Sequence, residues 1–187
     1  MKHLTLLSLV VALASAGSLM AGEIKSGPQP GDSLGAFNVT KVAGAEDDGV
    51  EVGKNLCYRC RNGRKPQVVV FTRSTDPKVI ELLQKLDKAV TENSDEKLCT
   101  FVNVLGEDKE QLNETAKKVA ADSKTKNVPV VVPNEFENGP DDYGINSKAA
   151  VTVVLASDLG VKASHAVEDA KDLNVDAILK DISKITE

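Results

Sequence analysis

The sequence predicts an α/β fold, a three-layer α/β/α sandwich around a mixed central sheet, and three patterns carry that prediction. Residues 67–72 (QVVVFT) and 98–105 (LCTFVNVL) are near-continuous apolar runs rich in β-branched residues, as strands buried on both faces require. Each is followed by apolar residues at helical spacing, and strand alternating with helix implies parallel strands joined by right-handed crossovers. Residues 151–156 (VTVVLA) and 161–164 are joined by Ser157-Asp158-Leu159-Gly160, which is hairpin chemistry, so an antiparallel pair makes the sheet mixed.

Taken in order, residues 1–21 read as a secretory signal peptide. Lys2 supplies the positive n-region and residues 4–14 the apolar h-region, with small-residue cleavage sites after Ala16 and after Ala21. The run is broken by Ser, Gly and Thr and falls short of the ~20 apolar residues that a membrane-spanning helix needs. The expected location is therefore secreted or periplasmic. Residues 22–35, with Pro and Gly throughout, are expected to be a flexible lead, and 36–187 to form one domain.

Within that domain, residues 36–42 alternate enough for a strand and 43–53 form a Gly/Asp-rich turn region. Asp76 offers an N-cap and Pro77 a first helical position for a helix carrying Val79, Ile80, Leu82, Leu83, Leu86 and Val90 at helical spacing. A second helix over 108–122 places Leu112, Ala116, Val119 and Ala120 together. A short strand at 128–132 and a polar loop over 133–147 precede the hairpin. Asn174 then caps a last helix with Val175, Ile178, Leu179, Ile182 and Ile185.

The chain has 23 Lys and Arg against 28 Asp and Glu, a net charge of −5, and loss of the leader would remove Lys2 and no acid. So acidic a chain argues against general binding to nucleic acid or anionic membrane. The two histidines stand far in sequence from the cysteines, and two cysteine ligands cannot close a tetrahedral zinc site; no metal or cofactor is expected.

The element order from Gln67 to the C-terminus is similar to the thioredoxin-like superfamily, and closest to its peroxiredoxin-like branch. Asn127-Val128-Pro129-Val130-Val131-Val132, Tyr143-Gly144-Ile145, Val151-Thr152-Val153-Val154-Leu155 and Asp158-Leu159-Gly160 resemble that branch's apolar strand, turn, second strand and hairpin. The resemblance implies a reactive cysteine just after the first core strand, at the start of the next helix, where free amides and the helix dipole stabilise thiolate. This chain reads Thr72-Arg73-Ser74-Thr75-Asp76-Pro77 there, with no cysteine. The family's cis-proline before the hairpin aligns with Val151, so that docking feature is missing as well. No histidine adjoins Ser74 or Thr75 to activate a hydroxyl, and these residues with Asp76 read as helix caps.

A dithiol does occur, displaced to before the strand, in Cys57-Tyr58-Arg59-Cys60. From Lys54 to Lys65 lie five cations, Lys54, Arg59, Arg61, Arg64 and Lys65, and no acid, a field that favours thiolate. Two readings stand. Cys57 and Cys60 are a thiol–disulfide exchange pair, with Cys57 the more exposed attacking thiol by analogy with other CxxC proteins, or they form a structural disulfide pinning the loop to the sheet edge in a non-catalytic binding domain. Arg59, Arg61 and Arg64 are candidate forked donors for an anion or an acidic partner in the cell envelope, beside protein thiols or disulfides as partners of the pair. Cys99, among apolar neighbours, reads as an inert packed side chain. Glu46-Asp47-Asp48 and Asp141-Asp142 read as solvated turns.

Overall fold

The computed structural model describes residues 24–187, so the expected signal peptide lies outside the described residues. A seven-stranded mixed sheet forms the centre. Its strands are β1 (Val39–Ala43), β2 (Asn55–Leu56), β3 (Gln67–Thr72), β4 (Cys99–Val104), β5 (Val130–Pro133), β6 (Val151–Ser157) and β7 (Gly160–Val167), in the spatial order β2-β1-β5-β4-β3-β6-β7. Strands β3, β4 and β5 run parallel, whereas β1 and β6 pair antiparallel with β5 and β3. The predicted hairpin β6–β7 turns through Asp158 and Leu159, both at positive φ, the geometry of a two-residue turn that matches strand twist.

The helices are α1 (Tyr58–Asn62), α2 (Pro77–Glu92), α3 (Lys109–Ser123), α4 (Val175–Lys180) and α5 (Ser183–Thr186). Asp76 and Asn174 cap α2 and α4 as their sequence positions predict, each side chain accepting from a free amide of the first turn. The last helix is broken at Asp181 into two short pieces. Crossovers from β3 to β4 to β5 step in one direction across the sheet, and right-handedness then forces α2 and α3 onto the same face. Buried residues of α2, α3, α4 and α5 accordingly join Val68, Val70, Val102 and Val153 in one aliphatic core.

The opposite face is covered by α1, the chain before β1 and the turn at Asp141–Tyr143. The chain has four Phe and two Tyr. Five of these six aromatics make one network here: Phe37 lies 5.0 to 6.0 Å from Phe71, Phe101 and Tyr143, and Tyr58 stacks on Phe101 at 5.7 Å. Ring pairs of this kind add about 0.5–1.5 kcal/mol each beyond area burial. They compensate for the shortage of regular helix on that side.

One expectation is corrected. The lead, read as flexible, is docked from Ile24 onward along β7: its amides at Ile24, Gly31 and Leu34 donate to Ala166, Val161 and Leu159. Ser26 is buried in a 2.7 Å hydrogen bond to Thr152, and Leu34 is fully buried. Proline and glycine here serve an edge that must follow β7 without continuous strand pairing, so the packed unit begins before residue 36.

Candidate functional site

Residues 54–66 carry no periodicity in the sequence, yet they are ordered into a short strand and a helix. In the structure Leu56 pairs with Val39, and the chain then turns into α1, whose five residues are too few to be stable alone. Tyr58 supplies the anchor, buried on Phe101, and Gly63 at positive φ closes the C-terminus by donating to the Arg59 and Cys60 carbonyls. Cys57 is the N-cap: its backbone is extended and its Sγ accepts the Cys60 amide at 3.0 Å. The two sulfurs are bonded, with 5.2 Å between Cα atoms. Cys60 is exposed and Cys57 half-buried, the reverse of the order drawn from other CxxC proteins, because the capping position turns Cys57 back toward the helix.

Helix α1 is tied down by Asp48, which corrects its expected place in a solvated turn. Asp48 is 19% exposed, and its carboxylate receives the Tyr58 hydroxyl at 2.6 Å, the Val50 amide at 2.8 Å and the Lys41 ammonium at 2.7 Å. Lys41, on β1, is only 2% exposed, and its remaining donors reach the carbonyls of Ala45 and Val50. Three donors thus meet three acceptors, the complete valence of an ammonium. The loop folds around that cation through Gly44, Ala45 and Gly49, all at positive φ. A Cβ at Gly44 would lie 2.4 Å from the Val128 carbonyl. The only trace of this in the sequence was a lysine inside a strand followed by a Gly/Asp turn, a pattern that exposed strands share. Burial and the Asp48 bond both push the Tyr58 hydroxyl well above its ordinary pKa, because each disfavours phenolate.

The three candidate arginines are divided. Arg59 donates to the Leu34 carbonyl at 2.6 Å, Arg61 to the Asp48 carbonyl at 2.7 Å, and Arg64 pairs with Asp158 in an exposed ion pair at 3.0 Å. The first two fasten α1 to its surroundings while leaving their charge beside the dithiol. Cys99 begins β4 opposite Gln67 and lies half-buried at the edge of a pocket of about 230 Å³ that Tyr58, Arg61 and Asn62 also line. Burial raises its thiol pKa, against the pull of Lys65.

The place where this architecture would hold a reactive cysteine is closed. The Ser74 amide donates to Thr72 Oγ1, the Asp76 amide to Ser74 Oγ, and the Lys78 amide to Asp76 Oδ1. Arg73, just before it, donates to the Glu137 carbonyl at 2.5 Å and to Asn138. Among the described residues no peptide is cis, in keeping with Val151 where the family has proline. The cysteine pair lies between β2 and β3 in the chain, whereas this vacated helix start follows β3.

No protein-family model and no curated protein sequence matches this chain. Solved structures do. Mycobacterium tuberculosis AhpC superposes with a TM-score of 0.59 over 86% of this chain and 99% of its own, at 16% identity. The fold is thioredoxin-like. A thiol-disulfide oxidoreductase from Bacteroides fragilis gives a TM-score of 0.53 at 16% identity, covering 82% of this chain and 98% of that one. An uncharacterized conserved protein from Geobacillus kaustophilus gives 0.62 at 14% identity, over 90% and 88% of the two chains. At such identities the likeness speaks to fold alone, and function rests on the site.

Proposed function

We propose that this thioredoxin-like domain is an exported thiol–disulfide exchange protein whose working pair is Cys57 and Cys60. One observation carries the reading: the bond lies within a single helical turn, between the N-cap and the third residue of α1. It therefore ties no element to another, and a closed loop of four residues constrains the unfolded chain by only about 2 kcal/mol in the loop-entropy model. Tyr58, Arg59 and Arg61 already hold α1 in place. A staple has little left to do here, whereas a sulfur at a helix N-cap on a helix carrying Arg59 and Arg61 is a good leaving group.

The exchange step is balanced as follows. A thiolate of a protein dithiol attacks the exposed Cys60 Sγ, the Cys57–Cys60 bond breaks, and its electron pair remains on Cys57 Sγ, where the Cys60 amide and the cationic side chains hold it. The second substrate thiol gives its proton to water and attacks the substrate sulfur of the mixed disulfide. Cys60 leaves as thiolate, the substrate is oxidised, and the pair is reduced. Export is supported by the leader-like order of residues 1–21 and by a disulfide, which persists in oxidising compartments.

The purified protein should catalyse insulin-disulfide reduction by dithiothreitol, and Cys57→Ser should remove that activity. Its reduction potential should lie above about −300 mV, the region below which structural bridges fall. A lower potential with no exchange would return the pair to a structural staple. Intact mass of the secreted protein should show cleavage after Ala16 or Ala21.

A further inference from the structure

We infer that Tyr58, through Asp48 and Lys41, is a positioning residue that sets the redox equilibrium of the Cys57–Cys60 pair. The inference rests on the exchange reading above and adds the device that governs the same site.

Asp48 touches α1 twice, its carboxylate taking the Tyr58 hydroxyl and its backbone carbonyl taking Arg61 Nη2. Tyr58 directly follows the capping cysteine, and Arg61 follows the other one. A single residue thus holds the helix beside each sulfur. Asp48 is itself fixed, because Lys41 and the Val50 amide share Oδ1 while Oδ2 is left for Tyr58. The ammonium cannot swing away, since it is buried and its other donors are committed to Ala45 and Val50.

The consequence differs between redox states. In the oxidised protein the disulfide itself keeps Cys57 and Cys60 within one turn. On reduction that constraint disappears, and five residues do not stay helical unaided. The clamp must then keep the Cys60 amide aimed at Cys57 Sγ. Weakening the clamp costs the reduced form more than the oxidised one, so the disulfide becomes harder to reduce. The Tyr58 bond is the cleanest part to remove: Tyr58→Phe keeps the ring on Phe101 and leaves the Lys41–Asp48 pair and every formal charge in place.

The test compares wild type and Tyr58→Phe, each equilibrated in dithiothreitol buffers and read by alkylation and mass, so it requires no substrate turnover. The variant's equilibrium constant for reduction should fall about tenfold, which is about 30 mV toward more negative potential. The pH midpoint for alkylating Cys57 in the reduced variant should rise, and its melting temperature should drop more in reduced than in oxidised protein. Equal potentials and equal alkylation profiles, with the same loss of melting temperature in both states, would overturn the inference and leave Tyr58 a packing residue. A wild-type pair below −300 mV that turns over no insulin disulfide would instead defeat the exchange reading, while the wild-type and variant potentials would still decide whether the clamp exists.

Discussion

The starts of α1 and α2 solve the same problem with different atoms. Each helix leaves free amides at its N-terminus, and in each a capping side chain receives one. At α2 the acceptors are oxygens, from Ser74 and Asp76. At α1 the acceptor is the sulfur of Cys57. The oxygen cap makes a sound helix start and leaves no amide aimed at a thiolate. The sulfur cap, on a helix too short to stand alone, has to be supported from elsewhere, and the Lys41–Asp48–Tyr58 chain supplies that support. A disulfide set ahead of β3, on a helix of five residues, therefore stands on a second support: a buried ion pair and a loop with positive-φ backbone.

The sharpest way to break this comparison is to remove the support. Asp48→Ala strands the Lys41 ammonium in the interior, and breaking one partner of a buried pair costs about 3–5 kcal/mol, to be measured by urea unfolding. A loss under 1 kcal/mol would mean that α1 does not depend on Asp48. Cys57→Ser should abolish exchange yet destabilise by only about 2 kcal/mol. A larger loss would make the bond a staple after all.

The pH dependence sharpens the same point. Tyr58 has a folded-state pKa raised above its unfolded value, so its contribution is whole below about pH 10 and is lost as pH climbs toward the folded value. Urea midpoints should therefore fall above pH 10, and Tyr58→Phe should make that limb shallower, the remainder coming from Tyr143, whose hydroxyl burial also pushes up. At α2, Asp76→Ala should cost about 1 kcal/mol of stability, the usual worth of an N-cap, and leave exchange unchanged. Altered exchange in that variant would show that the closed helix start still takes part. Smallest of all, Cys99 should alkylate with a midpoint above that of a free thiol, as its burial requires; a midpoint below it would make this thiol an active member of the site.

Much of the fold was legible because its signals are local. The apolar run of β3, the Asp76-Pro77 start of α2 and the two-residue hairpin turn each follow from adjacent residue types. The dithiol and its cationic setting were legible for the same reason. Helix α1 was not, since five residues carry no periodicity and its anchor is Tyr58 stacking on Phe101, 43 residues further along the chain. Asp48 was read as solvated because an acid in a Gly-rich turn usually is. The docked lead was read as flexible because its bonds are made to β7, far along the chain.

By itself, then, the sequence determined which segments become strands and helices, that the family's usual cysteine position is empty, and that two thiols lie three residues apart among positive charges. Periodicity, caps and composition act over a few residues and need no partner to be read. Only the tertiary structure decided that the cysteines cap and enter a short helix, which sulfur faces solvent, and that Lys41 and Asp48 meet and hold Tyr58. Those outcomes depend on the desolvation of groups brought together from distant parts of the chain, and burial is a property of the packed molecule that no single residue carries.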